Sequence, residues 1–378
     1  MYDMILKDCR LFNGDKFEKG ATDIAILDGI IAKIGSLDGE RARKTISCEG
    51  KTVTPGLVDC HTHISPISSI GADVWRTQLP YGVTAIGEAG GAGCNAVDGL
   101  APIIRNFPVR TRLYLNVCSF GLQSLFSHPE DIDPKKFDIN KIRAIFKKYP
   151  ELICGLKIRM GKECSQGYGK EPLERAAALA RELGTHLCVH ISNPEFPTGE
   201  LCELLSAGDI VTHTYQSRGN GIFIDGELDT RVTAARERGV LFDVGDSDYH
   251  FDFEVFEKAL EQGFAPDLIS SDITRVSAFA NGLFALPTVV AKCVSLGMNE
   301  ADALRAVTLT PARVLGLDAG RIAEGAVADI AVFDIRENYG ELYDCKKRRI
   351  NAKYFPVPML TLYGGEIAWR SLDFRTDI

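Results

Sequence analysis

The chain has 378 residues, a quarter of them charged and just under half hydrophobic, which is the make-up of an ordinary water-soluble protein with room for more than one average domain. Its 43 basic against 51 acidic residues give a net charge of −8, which argues against nucleic acid as the main partner; plain solubility is the simplest reading of that excess. No apolar run is long enough to span a bilayer, and the eleven cysteines include no C-x-x-C pair, so they read as reduced core thiols of a cytoplasmic protein and not as a disulfide frame or zinc knuckle.

Residues 1–54 read as short strands and turns. Met1 to Lys7 lacks the basic region and apolar core of a secretion signal, which again fits the cytoplasm. Ile5 to Phe12 is a strand closed by Asn13-Gly14, and Ala25 to Ile34 is a hairpin about the Asp28-Gly29 turn. The texture changes at Pro55 to alternating strands and helices. Eight strands are predicted: Val53 to His61, Val83 to Glu88, Arg112 to Cys118, Ile153 to Ile158, His186 to Ile191, Asp209 to His213, Val240 to Val244, and Leu268 to Asp272. Helices are predicted over Ile139 to Lys148, Pro172 to Leu183, Arg231 to Arg238 and Phe253 to Gln262, the last three followed by a glycine stop. Further helices follow near Leu283 to Leu296, Glu300 to Ala306 and from Thr310.

Eight β-α units in one block predict an α/β fold of the (β/α)₈ TIM-barrel type. The rival is an open doubly wound sheet, which would want a glycine-rich phosphate loop after its first strand, where this chain has His61-Thr62-His63. From Gly316 the hairpin texture returns, in Ala328 to Phe333, Leu360 to Tyr363 and Glu366 to Trp369. The simplest arrangement joins residues 1–54 and 315–378 in one small β domain, with the barrel, 55–314, inserted between its halves.

Functional residues of such barrels sit at the C-terminal ends of strands. Those ends carry His61 and His63 on strand one, Lys157 and Arg159 on strand four, His190 on strand five, His213 on strand six and Asp272 on strand eight. His61 and His63 share a strand face because side chains alternate with period two. Taken singly, His190 and His213 read as hydrogen-bonded core histidines, Lys157 as a strand lysine reaching water, and Asp272 as a helix cap; their common place at one mouth is what favours a site. Imidazoles and a carboxylate suit a divalent ion such as Zn²⁺. Four histidines and an aspartate exceed what one tetrahedral ion with an open position needs, so two ions fit. A desolvated lysine loses its proton readily, and the neutral Lys157 amine could add carbon dioxide to give a carbamate, an N6-carboxylated lysine whose two oxygens bridge the pair.

The motif Pro-Gly-x-x-Asp-x-His-x-His at 55–63, with Lys157, His190, His213 and Asp272 on strands four, five, six and eight, resembles the amidohydrolase superfamily with a binuclear metal centre. Within it the chain is most similar to the dihydroorotase-like deacetylase branch, which includes acetyl-hydroxy-acid esterases. The supporting stretches are Gly155 to Met160, Asp209 to Thr214 and Arg238 to Gly245. The resemblance covers nearly the whole chain and implies a split β-sandwich beside the barrel. It implies hydrolysis of an N-acyl or O-acyl bond in a small acid by a metal-bridging hydroxide, with Asp272 as the proton-shuttling catalytic residue. The branch pattern continues with His-Gly after Asp-Val-Gly; here Asp246-Ser247-Asp248-Tyr249-His250 follows, so the loop after strand seven is altered.

Candidate substrate contacts are Arg159, Asn193, Tyr215, Arg218 and His250, the last with a plain loop histidine as the competing reading. Gly90 to Gly93 could offer backbone N–H groups to an anion. His186 begins strand five, away from the mouth, and is set aside; His128 reads as a structural or solvent-facing loop residue. A dihydroorotase or other cyclic-amide hydrolase is the nearest alternative, but such enzymes usually place arginine two residues after the His-x-His pair, where this chain has Ser65. A non-catalytic relative would lack ligands that this chain keeps. The expected partner is a small-molecule acyl substrate, without nucleic acid or membrane, in a chain that could form a homo-oligomer.

Overall fold

The computed structural model describes residues 1–123, 125, 130–165, 167–280 and 284–375. His128 lies outside the described residues, as does the predicted start of a helix at Leu283; the helix described there is Leu286–Ser295. A parallel sheet runs in chain order through seven strands: Leu57–Thr62, Val83–Gly93, Arg110–Asn116, Ile153–Arg159, His186–His190, Ile210–Thr212 and Leu241–Phe242. Parallel neighbours need long crossovers, and helices Val97–Ile104, Ile139–Lys148, Glu171–Glu182, Thr198–Cys202 and Thr230–Glu237 lie in them. Gly184, Gly239 and Gly263 stop their helices in left-handed conformation, at φ 63°, 95° and 72°.

Residues 268–273 close the ring. Leu268 bridges Asp243 and Ile273 bridges Thr62, both in parallel. Asp272 N donates to His61 O at 2.8 Å and His63 N to Ile273 O at 3.0 Å. The result is a barrel of the TIM type. The predicted eighth strand is reduced to these bridges because Asp272 turns left-handed at φ 48°, and the hydroxyls of Ser270 and Ser271 donate to the buried carboxylates of Asp243 and Asp59.

The other large sheet joins both ends of the chain. Tyr2–Leu11, Thr22–Leu27, Ile30–Gly35, Ala42–Ser47 and Thr52–Pro55 combine with Ile330–Arg336, Phe355–Tyr363 and Glu366–Arg370. The seam is antiparallel, with Val53 opposite Val332 and Pro55 opposite Ile330. This sheet has its own core, including Leu6, Ile24, Ile46, Val53, Ile330 and Leu360. The predicted strand Val53 to His61 is two strands, one in each sheet. They part at Gly56, where a Cβ would stand 2.1 Å from Thr84 Oγ1, so the chain passes between the sheets where only glycine fits.

Val58, Ala85, Tyr114, Cys188, Ile210 and Leu268 pack inside the barrel against Leu315. That apolar plug fills one end and leaves the polar strand ends at the other. All eleven cysteines are free thiols. Among the described residues no helix is long and apolar enough to cross a membrane.

Candidate active site

Strand register sets the site. His190 pairs with Arg159 on one side and Thr212 on the other, and Lys157 pairs with Asn116 and Cys188. His61 Nε2 lies 3.2 Å from Lys157 Nζ and 3.4 Å from Asp272 Oδ1; His63 Nε2 lies 3.0 Å from the same oxygen. The His213 ring centroid is 5.2 Å from that of His61 and 4.3 Å from that of His190. The structure thus brings together His61, His63, Lys157, His190, His213 and Asp272, every one of them buried. His61, His213 and Asp272 offer ligand atoms that all lie within 4.8 Å of one another, a group that could hold a metal ion.

Hydrogen bonds fix how the imidazoles present themselves. His213 Nδ1 lies 2.7 Å from Gly245 O, an acceptor, so Nδ1 carries the proton and Nε2 keeps its lone pair. Thr212 Oγ1 donates to Asp243 Oδ2 at 2.6 Å, so it accepts from His61 Nδ1 at 2.8 Å, and His61 Nε2 is the lone-pair atom facing Lys157 and Asp272. His190 Nε2 and His63 Nδ1 are buried without a hydrogen-bond partner. Buried polar atoms are rarely left so; imidazole nitrogens beside a carboxylate are donors a divalent ion would satisfy, and the residues fit such a group.

Electrostatics separate the groups. Burial pushes the Asp272 carboxyl up, but His61, His63 and His250 outweigh it and hold it below the usual carboxylate range, so it is ionised. Burial pushes His63 down, yet Asp272 and Glu88 raise it above the ordinary value. Desolvation, then neighbouring histidines, hold His190 and His213 well down, and desolvation takes His250 to about 3. These imidazoles are neutral, the form that binds metal.

Lys157 is fully buried, with Nζ against His61 Nε2 and 3.5 Å from Cys188 Sγ. Gly90 makes room for it: a Cβ there would stand 2.8 Å from Lys157 Cγ. This corrects the reading of the glycine run as an anion cradle. Gly91 N donates to Glu88 Oε2 at 3.1 Å and Gly90 O accepts from Asn116 Nδ2, so these glycines serve close packing.

A cavity of about 480 Å³ opens above the cluster, lined by His61, His63, Lys157, His190 and Asp272 and walled by Ile70, Leu122, Leu125 and Val276. Of the candidate substrate contacts, Arg159 and His250 line it. Arg159 is also an ion-pair partner of Glu130 (3.3 Å) and Glu163 (3.4 Å), and His250 Nδ1 lies 2.9 Å from Ser192 Oγ. Tyr215 is not a contact: its ring packs on Phe251 and Phe256 in the core and its hydroxyl donates to Phe264 O. Asn193 stands outside the lining, with its carbonyl accepting from Lys162 N. Arg218 also stands outside it, stacked 4.8 Å over the ring of Tyr249, which does line the cavity. Sequence reasoning missed Glu88, Asp243, Glu130 and Lys347. Glu88 ends a predicted strand, and that position was its only signal; Lys347 had none.

Neutral imidazoles, an ionised carboxylate and a buried amine at the mouth of a TIM-type barrel define a metal-dependent hydrolase. The chain belongs to the amidohydrolase family, whose model matches residues 52–356. It is 32% identical over 360 residues to a deacetylase of Agrobacterium fabrum, covering 93% of this chain and 88% of that protein. It is 26% identical over 372 residues to a deacetylase of Enterococcus faecalis, covering 97% and 99%. A crystal structure of a dihydroorotase superposes with a TM-score of 0.88 at 29% identity, over 96% of this chain and 97% of that one.

Proposed function

We propose that this hydrolase removes an acyl group, acetyl first among them, from the nitrogen or oxygen of a small carboxylic acid. The observation that carries the reading is the ionised Asp272 carboxylate set between His61 and His63 on the floor of a cavity that also holds a cationic side. The similarity to deacetylases supports it.

His61, His63, Lys157, His190, His213 and Asp272 would hold two divalent ions, with zinc suited to this donor set. Lys157 would join that set as its carbamate, formed when the amine nitrogen bonds to the carbon of CO₂ and gives up a proton. Bound there, the ions would lower the pKa of water to about neutral and polarise an acyl carbonyl. Asp272 takes up the proton released on water attack at a carboxylate oxygen and delivers it to the leaving nitrogen or oxygen. Thr212 and Asp243 hold the His61 ring through Nδ1. Ile70, Leu122, Leu125 and Val276 would receive the apolar part of the substrate.

Residues 1–54 and 315–378 form one small β-sandwich domain in this reading, with 55–314 as the barrel; the antiparallel seam at Val53 and Val332 and the separate core support the division. Eleven free thiols favour the cytoplasm.

The test is a screen of metal-reconstituted protein against N-acetyl amino acids, acetylated hydroxy acids and cyclic amides. Acetate release that a chelator abolishes and zinc restores is expected; no hydrolysis with any metal would remove the reading. Cyclic-amide hydrolysis is the second reading, favoured by the match to a dihydroorotase structure. Against it, Ser65 stands where such an enzyme would want arginine, fully buried and with an unpartnered hydroxyl.

A further inference from the structure

We propose that Lys347, carried to the barrel mouth on a hairpin from outside the barrel, selects acidic over neutral substrates by holding the substrate carboxylate at the cavity rim. The inference rests on the deacylase reading above.

The hairpin pairs Glu341–Tyr343 with Arg349–Asn351 and lies between strands Ile330–Arg336 and Phe355–Tyr363 of the mixed sheet. Its turn is fastened to the barrel at every step. Asp344, itself buried, accepts from Lys346 N and Arg348 N through Oδ1 at 2.8 Å each, and from Phe253 N through Oδ2 at 3.3 Å. Cys345 N donates to Phe251 O at 3.0 Å. Lys346 Nζ lies 2.7 Å from Asp252 Oδ2, and Arg348 is paired with Glu257 at 2.7 Å. Asp252 also caps helix Phe253–Glu261, so the turn is tied to a rigid element. These bonds hold the apex, Lys347, in left-handed conformation at φ 64°, and Lys347 is the residue of this turn that lines the cavity.

Of the three cations that line the cavity, Lys157, Arg159 and Lys347, it is the most exposed. Arg159 is already answered by Glu130 and Glu163. Lys157 belongs to the floor cluster. Lys347 Nζ has Asp248 Oδ2 at 3.5 Å, and its side chain keeps 56% of its exposure against 14% for Arg159, so the ammonium can swing to an incoming anion. Asp248 lines the same cavity. The apolar wall of Ile70, Leu122, Leu125 and Val276 adds the second half of the specificity. The substrate class is therefore an acylated acid with an apolar side chain.

The test compares metal-loaded wild type, Lys347→Gln and Lys347→Arg on N-acetylphenylalanine and its carboxamide. Wild type should prefer the acid. Lys347→Gln should reduce the acid-to-amide ratio of kcat/KM about tenfold, through KM, and Lys347→Arg should restore most of it. Salt should raise KM for the acid in wild type and leave the Gln variant's ratio flat. An unchanged ratio in Lys347→Gln, or an equal fall in kcat on both compounds, would overturn the proposal. If wild type releases acetate from neither, the deacylase reading fails, and Lys347 is judged by calorimetric binding of the same two compounds. Tighter binding of the acid that is lost in Lys347→Gln then upholds it, and equal affinities reject it.

Discussion

Asp272 Oδ1 lies 3.0 Å from His63 Nε2, while the Asp272 backbone N–H donates to His61 O at 2.8 Å. One residue at the eighth position is thus tied to both histidines of the first strand, by side chain and by main chain, and the barrel closes through its own site. The φ of 48° that this demands is costly for a non-glycine residue, and such strain collects at functional sites. Asp272→Asn keeps the backbone bond and a side chain that tolerates the left-handed region, but removes the charge. Turnover should fall about 10²- to 10⁴-fold with little change in Tm; an unaltered kcat would take Asp272 out of the proton transfer.

Lys157 and Gly90 form a second test, because the glycine exists to admit the lysine stem. Lys157→Ala should lose bound metal in elemental analysis, with activity returning only in part and only on addition of acetate or propionate. Gly90→Ala, with the lysine still present, should also lower metal content, since a Cβ at 2.8 Å from Lys157 Cγ must displace it and φ is 82°. A Lys157→Ala protein that keeps two metals and full activity would remove the carbamate bridge.

The site's six main residues were legible because each stands at the end of a β-strand pattern, and period-two alternation says which way a strand residue points. The rule stops where the strand stops. His213 has φ 64°, and past that left-handed turn Tyr215 faces the core beside Phe251 and Phe256 instead of the cavity. Asp243 escaped notice because its role is read only across strands, through Thr212 and Ser270. Lys347 escaped because its place depends on bonds from 344–348 to 251–257, which no local pattern announces. The split at Gly56 was hidden for a related reason: both strands are apolar, and only Thr84 on the next strand reveals why they part.

Lys292 Nζ and Asp246 Oδ2 form a buried pair at 2.6 Å beneath the altered loop, whose residues Tyr249 and His250 donate their N–H groups to Asp246 O. Lys292→Met leaves the Asp246 carboxylate buried and unpaired. Such a loss costs about 3–5 kcal/mol, so urea denaturation should show a drop of that order. The double variant Lys292→Met/Asp246→Asn should recover part of it, because no buried charge then remains. A single-variant loss within about 0.5 kcal/mol, the range of ordinary surface changes, would mean that the pair does not anchor the loop.

His186 tests the opposite end of the barrel, where it lines a separate cavity with Arg112, Cys154 and Arg181. Burial holds its pKa down at about 4, and its Nε2 has no hydrogen-bond partner. In the unfolded chain the imidazole titrates near 6.5. Between those values the unfolded state binds the extra proton, so stability rises with pH across the window and is lost as pH falls from about 6.5 to about 4. The difference corresponds to about 3 kcal/mol. His186→Gln should flatten the pH dependence of unfolding free energy over that window by about that amount, leaving the pH profile of catalysis at the other mouth in place. An NMR titration that finds His186 near 6.5 in the folded protein would contradict the assignment.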